Sequence, residues 1–336
     1  MPSGITGKIE FVLQLKPTNR CSMGCPHCYN PRDADALANE LTTRQWVKIV
    51  RSFNRFAERR GLRPRVHFIG GEPLLRPDLF DIVTAALEND DCVATVVTNG
   101  VEVNEHIIGM IKEKFHAVTV NLPCATPLEF LDIRGSPSFE LVVSNVRSMV
   151  KSGINVALAV NIMKQNAENV GAVIPLAAEL GACRVSYHRF VGMKRLDDWH
   201  PTADQLKAAV RGITDQMKRY GQVKVVSRDP VLSMMLGLPV KPCIVGHSIL
   251  NIEPDGKATP CRYIHMEIGD ATRQSVRDIV ESESFRKLGD AAAIRGACLN
   301  CRNRNECVGC RALAFHHGDI MGEDPLCSHD GGGPPA

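Results

Sequence analysis

The stretch Asn19-Arg20-Cys21-Ser22-Met23-Gly24-Cys25-Pro26-His27-Cys28-Tyr29-Asn30 places three cysteines within eight residues, spaced C-x3-C-x2-C, shortly after an apolar run at Phe11 to Leu15. Three thiols are one short of the four that close a structural zinc site. A cubane iron-sulfur cluster takes one thiolate per iron, so three cysteines leave one iron open to an outside ligand. Taken alone, the run also fits part of a zinc site.

Outward from this loop, short apolar runs recur at Val66 to Ile69, Ala94 to Thr98, Ala117 to Leu122, Val156 to Ile162 and Val185 to Phe190, and each reads as a buried strand. Helical segments alternate with them. Thr42 to Arg60 opens on a Thr42-x-x-Gln45 capping box and stops at Gly61, and Ser138 to Ser152 stops at Gly153. Others run near Pro77 to Glu88, Asn104 to Lys114, Glu168 to Leu180 and Ala203 to Tyr220. Alternation with short loops predicts parallel strands joined by right-handed crossovers, and six units predict an α/β partial (β/α)6 TIM-like barrel. Ligands of such barrels bind at the C-terminal strand ends. The three-cysteine loop follows the first strand and is expected on that face.

After about residue 230 glycine, proline and cysteine become frequent, and Ile249-Leu250-Asn251-Ile252-Glu253-Pro254-Asp255-Gly256-Lys257 reads as two short strands joined by a Pro-Asp-Gly turn. The expected division is a lead-in over residues 1–20, a barrel over 21–230, a metal-held C-terminal domain over 231–330 and a disordered tail over 331–336.

Composition narrows the function. The chain has 336 residues, 44% of them hydrophobic, with 40 basic against 37 acidic side chains well mixed along it. No basic stripe argues for nucleic acid or an anionic membrane. No apolar run approaches the roughly 18 residues of a membrane span, and no secretory signal opens the chain, so a cytoplasmic location is expected. In a reducing compartment thirteen cysteines read as metal ligands rather than disulfides.

The cysteine loop resembles that of the radical S-adenosylmethionine (SAM) superfamily: Cys21-x3-Cys25-x2-Cys28 after a first strand, with His27 where that family usually places an aromatic ring. Gly70-Gly71-Glu72-Pro73 after the second strand is similar to the family's GGEP motif, which contacts the methionyl amine of SAM. Thr98-Asn99-Gly100 looks like the segment near the SAM ribose, and Asn161 like a further cofactor-lining position. The C-terminal pattern Cys243-x12-Gly256-x4-Cys261, then Cys298-x2-Cys301-x5-Cys307-x2-Cys310 and Cys327, is similar to the seven-cysteine SPASM extension, which binds two auxiliary clusters. That resemblance assigns Cys243, Cys261 and Cys310 to an inner cluster, and Cys298, Cys301, Cys307 and Cys327 to an outer one. The Cys307-x2-Cys310 spacing is one residue shorter than usual. The inner cluster is left with an open iron or a further ligand such as His247 or Asp255, and a zinc-ribbon module over Cys298 to Cys310 is the alternative.

The resemblance implies three [4Fe-4S] clusters and SAM as cofactors, with flavodoxin or ferredoxin as electron donor. It implies reductive SAM cleavage to a 5'-deoxyadenosyl radical that abstracts a substrate hydrogen. Auxiliary clusters able to accept an electron favour a net oxidation. Only twenty residues precede Cys21, too few for the leader-binding domain of many peptide-modifying relatives. The first expectation is therefore dehydrogenation of a carbohydrate or aminocyclitol precursor in natural-product biosynthesis. The alternative is a peptide, cross-linked by the enzyme and delivered by a separate partner. His188, Arg189, Lys194 and Arg195 are candidates to line the substrate end. Cys124, in Asn121-Leu122-Pro123-Cys124 beyond the fourth strand, is either a hydrogen donor for epimerisation or a packing residue; Cys92 and Cys183, at strand starts, are weaker candidates. Outside enzymes, the chain reads as an iron-sulfur electron carrier or a zinc-binding interaction module.

Overall fold

The computed structural model describes residues 8–30, 38–192 and 194–327. The expected tail over 331–336 lies outside them. Six predicted strands form where the apolar runs place them: β1 (Glu10–Leu15), β2 (Arg63–Phe68), β3 (Val93–Thr98), β4 (Ala117–Asn121), β5 (Val156–Ile162) and β6 (Arg184–Arg189). All pair in parallel with their sequence neighbours. A seventh parallel strand, β7 (Lys224–Ser227), extends the sheet beyond β6. Its four residues begin on an exposed lysine, which hides it from a search for apolar runs.

The helices between the strands cover one face. Helix α1 (Thr43–Arg60) starts on the Thr42–Gln45 capping box and ends on Gly61 in the left-handed conformation. It buries Trp46, Ile49, Val50, Phe53 and Phe56, and Phe11 of β1 meets the rings of Phe53 and Phe56 at 5.9 and 5.4 Å. Helices α2 (Leu79–Ala86), α3 (Glu105–Lys114), α4 (Pro127–Arg134), α5 (Phe139–Lys151), α6 (Val173–Leu180) and α7 (Ala203–Arg219) follow in order.

Alternation along each strand then decides what faces inward. In β2, Val66 and Phe68 are fully buried while His67 between them keeps partial exposure. In β6 the same holds for Ser186 and His188 against Val185, Tyr187 and Arg189. The inward set therefore lines an open lumen, as in a partial barrel.

Past β7 the chain adds α8 (Pro230–Met235), then the hairpin β8 (Ile249–Ile252) and β9 (Lys257–Thr259), and β10 (Gly269–Asp270). Strand β8 lies parallel to β1, pairing Val12 with Ile249 and Gln14 with Asn251. One ten-stranded sheet results, in the order β10-β9-β8-β1-β2-β3-β4-β5-β6-β7. Helices α9 (Val276–Glu281), α10 (Glu283–Leu288) and α11 (Arg311–His316) complete the described chain. The C-terminal hairpin is thus hydrogen-bonded to the first barrel strand, beside the start of the cysteine loop.

Candidate functional site

The loop from Lys16 to Asn30 leaves β1 at its C-terminal end and carries Cys21, Cys25 and Cys28. Main-chain bonds fasten it to the segment after β2: Gly71 N donates to Thr18 O at 2.9 Å and Glu72 N to Arg20 O at 2.7 Å, and Asn30 Nδ2 donates to Gly70 O at 2.6 Å. The two glycines make this approach possible. A Cβ on Gly70 would stand 2.6 Å from Thr18 O, and one on Gly71 2.2 Å from Arg20 O. The close contact that requires glycine here is with the cysteine loop itself.

Glu72 is fully buried. One carboxylate oxygen accepts from Leu74 N at 3.1 Å, closing the turn that contains Pro73, and the other accepts from Asn99 N at 2.7 Å. Burial pushes its pKa up to about 7 against the pull of these bonds. Thr98 Oγ1 accepts from Gly100 N, and Asn99 Nδ2 donates to Ser22 Oγ at 3.4 Å and lies 3.8 Å from Cys21 Sγ. The ends of β1, β2 and β3 are therefore one hydrogen-bonded unit. Asn161 faces the lumen from β5, opposite His188 in the register.

His27 is held by Ile133 O at 2.9 Å from its Nδ1 and by the Trp199 ring at 5.2 Å. Arg134 reaches Met23 Sδ at 3.1 Å. Both anchors sit on or beside α4, a helix absent from the sequence reading although Thr126-Pro127-Leu128-Glu129 is a helix-start signal.

Among the described residues no three His, Cys, Asp or Glu side chains converge as ligands of a single metal ion, and no disulfide forms. A cubane takes its thiolates on separate irons and needs no such convergence. The C-terminal cysteines fall into two neighbourhoods. Burial pushes Cys261 up to about 11, with the Cys243 thiol adding to it; burial, Asp229 and Cys243 all raise Cys310. Burial pushes Cys307 up to about 12, with Cys327 and Cys298 adding to it. Arg311, only 2% exposed, keeps Nε and Nη2 without a hydrogen-bond partner, and its charge acts on Cys243. A buried guanidinium with spare donors beside thiols suits an anionic cluster. The residues present therefore fit iron-sulfur centres.

The remaining candidates differ in placement. Cys124 is 1% exposed within the hydrophobic core and donates to Thr126 O at 3.6 Å; burial pushes its thiol up to about 12. That environment fits the packing reading of this residue. Cys92 is buried at the start of β3, while Cys183 is exposed before β6. Arg189 faces the layer behind β6 and is 2% exposed, bound to Asp229 at 2.6 Å and Asp324 at 2.6 Å, so it is not free for substrate. His247 and Asp255 are exposed, and Asp255 accepts from Lys257 N within its own turn. Asp229 is the carboxylate that the fold brings beside Cys310 and Cys243. The side chains of Lys194 and Arg195 lie outside the described residues.

Several lumen residues had no motif to announce them. Lys16 is fully buried and paired with Glu253 at 2.9 Å. Tyr29 meets Tyr263 edge-on at 5.0 Å, joining the residue after Cys28 to one near Cys261. Arg262 stacks on Tyr263 at 4.8 Å. The β1–β8 pairing brings these distant stretches together.

Comparison with known proteins agrees with this geometry. The radical SAM superfamily model matches residues 15–178, and that of an iron-sulfur cluster-binding domain, SPASM, matches residues 243–311. The chain is 29% identical over 331 residues to a PqqA peptide cyclase of Streptomyces rochei, covering 94% of this chain and 88% of the relative. It is 28% identical over 344 residues to an AdoMet-dependent heme synthase of Methanosarcina barkeri, covering 92% and 94%. In fold it resembles Streptococcus suis SuiB bound to S-adenosylmethionine, with a TM-score of 0.75, 15% identity, and coverage of 96% of this chain and 76% of that one. It likewise resembles native anSMEcpe with bound AdoMet, at a TM-score of 0.73, 16% identity, and coverage of 94% and 93%. With both models falling on the cysteine-bearing regions that one sheet unites, the chain belongs to the radical SAM superfamily and carries a C-terminal SPASM iron-sulfur cluster-binding domain.

Proposed function

We propose that the protein is a peptide-modifying radical SAM enzyme that forms a cross-link in its substrate. The observation that carries the peptide half is the near end-to-end similarity to PqqA peptide cyclases, which favours a peptide over the carbohydrate or aminocyclitol precursor expected from the sequence. In this reading Cys21, Cys25 and Cys28 hold the cluster that binds SAM. Cys243, Cys261 and Cys310 hold an inner auxiliary cluster, and Cys298, Cys301, Cys307 and Cys327 an outer one. When bound, the first cluster and SAM together supply a one-electron reductive cleavage that yields a hydrogen-abstracting radical.

The chain's own residues supply positioning. Glu72 holds Asn99 and the Gly70–Pro73 turn against the cysteine loop, and beyond the bonds it accepts from Leu74, Asn99 and Thr98 its carboxylate keeps acceptor capacity for the methionyl amine. Gly70, Gly71 and Pro73 shape that turn, while Thr98, Asn99 and Asn161 border the cofactor from β3 and β5. His27, fixed by Ile133 O, closes the side toward α4. Tyr29 and Tyr263 wall the lumen between the two cysteine regions and exclude water from it.

The equal similarity to a heme synthase favours a second reading, a small-molecule substrate. The test is anaerobic incubation of the reconstituted protein with SAM, a reductant and short peptides encoded beside its gene. A peptide product lighter by two hydrogens is expected, with SAM cleavage stimulated by the peptide. Stimulation by a tetrapyrrole carboxylate and by no peptide would replace this reading with the second.

A further inference from the structure

At the N-terminal end of the barrel, away from the cysteine loop, the inward faces of the strands carry arginines. Arg65 stands two residues before His67 on β2, and Arg184 two before Ser186 on β6. Alternation therefore turns both toward the lumen, nearer the strand starts than the imidazoles of His67 and His188. Arg228 follows the short strand β7, two residues beyond Val226, which pairs in register with Ser186, and it continues the same inward alternation. Strand β7 is a free edge of the sheet.

The charges at this end do not balance. Glu10, at the start of β1, accepts from Arg65 Nη2 at 2.8 Å, which sets one carboxylate against three guanidiniums. Arg65 Nε is buried without a hydrogen-bond partner, a donor whose desolvation nothing offsets. Among the described residues neither Arg184 nor Arg228 forms an ion pair. Burial holds Arg228 below the ordinary arginine range, with Arg65 and Arg184 adding to the effect and Glu10 opposing it, in agreement with the placement that alternation gives. Other acids near the strand starts are engaged elsewhere, Asp91 with Lys8 and Glu179 with Arg147 at 3.0 Å.

The remaining sequence offers no counter-charge here. Residues 1–7 contain no acid. Asp33 and Asp35 fall between Asn30 and Glu40, which are bonded to Gly70 O and to Asn19 N at the opposite strand ends, and Asp330 follows Cys327, which lines a cavity with Arg189 and Phe190 at the end of β6. Arg63 and Lys224, exposed at the starts of β2 and β7, add positive charge around the mouth and draw anions toward it.

We propose that the N-terminal end of the barrel binds a phosphate group between Arg65, Arg184 and Arg228. A tetrahedral oxyanion presents acceptors in enough directions to answer three guanidiniums at once, where a planar carboxylate answers two. Bound there, the phosphate crosses the lumen from β2 to β6 and the edge strand β7, which no backbone pairing joins to β2. The site is separate from the cysteine loop and independent of the substrate reading. Its ligand is the free ion or the phosphate of a phosphorylated metabolite.

Anaerobic titration calorimetry of the reconstituted protein at fixed ionic strength tests this, with inorganic phosphate and ribose 5-phosphate as probes. Saturable binding of one phosphate per chain is expected in the wild type. Affinity should fall about tenfold in R184Q and in R228Q and rise in E10Q, where the competing carboxylate is gone; a gain of affinity is not a result that misfolding produces. Should an arginine variant fail to load iron, the wild type and E10Q still decide. Tighter binding of inorganic phosphate supports the site with the free ion as ligand, and tighter binding of ribose 5-phosphate supports it with a phosphorylated metabolite. No saturable binding in the wild type, an affinity unchanged in both arginine variants, or one that does not rise in E10Q overturns the proposal.

Discussion

Glu72 shows how a single side chain joins three strand ends. With no exposed surface and both oxygens accepting backbone N–H groups, it holds the turn after β2 and the start of the Asn99 segment in one register. Replacing it with alanine leaves two buried donors without their acceptor, which costs roughly 1–3 kcal/mol each. We expect Glu72→Ala to keep its full iron content and to bind SAM about tenfold more weakly, with Glu72→Gln intermediate because one amide oxygen remains to accept. The measurement is SAM titration followed in the EPR spectrum of the reduced cluster. Unchanged affinity in Glu72→Ala would show that its role ends at capping the turn.

At the scale of elements, periodicity and capping announced what is local. The runs at Phe11, Val66, Ala94, Ala117, Val156 and Val185 became β1 to β6, and the Thr42–Gln45 box became the start of α1, because buried strands and capped helices write themselves into short windows. The motif residues at the ends of β1, β2 and β3 were legible for the same reason. Pairings across long separations were not. Nothing in Ile249-Leu250-Asn251-Ile252 says that its partner is β1, and that pairing is what carries Arg262 and Tyr263 to Tyr29. Asp229 and Asp324 were equally silent, since an acid near an element end reads as surface until its partner is known. The two C-terminal cysteine neighbourhoods yield a prediction of their own. Fully reconstituted protein should hold about twelve irons per chain, and joint replacement of Cys298 and Cys307 by alanine should remove about four of them while SAM cleavage persists. Iron analysis beside a cleavage assay checks this, and about four irons in the unaltered protein would remove the auxiliary clusters from the account.

Across the whole molecule, Arg189 connects barrel and C-terminal region. It binds Asp229 at the start of α8 and Asp324 near the end of the described chain, and it donates to Leu326 O at 3.1 Å. Asp324 in turn accepts from Cys310 N at 2.8 Å. Breaking a buried network of this kind from one side leaves uncompensated charge and costs about 3–5 kcal/mol. Arg189→Met should therefore lower the denaturation midpoint and expose the segment from Cys298 to Cys327 to limited proteolysis before the barrel is cut. Wild-type cleavage kinetics in that segment would mean that the sheet pairing alone holds it.

The proposed activity requires that the loop of Cys21, Cys25 and Cys28 and the strand ends around it form a SAM-cleaving centre. Its most direct test is the yield of 5'-deoxyadenosine from anaerobically reconstituted protein given SAM and dithionite. Formation in the wild type, abolished when all three cysteines are replaced by alanine while the C-terminal iron is retained, is the predicted result; no 5'-deoxyadenosine from wild-type protein with its iron fully loaded would contradict it.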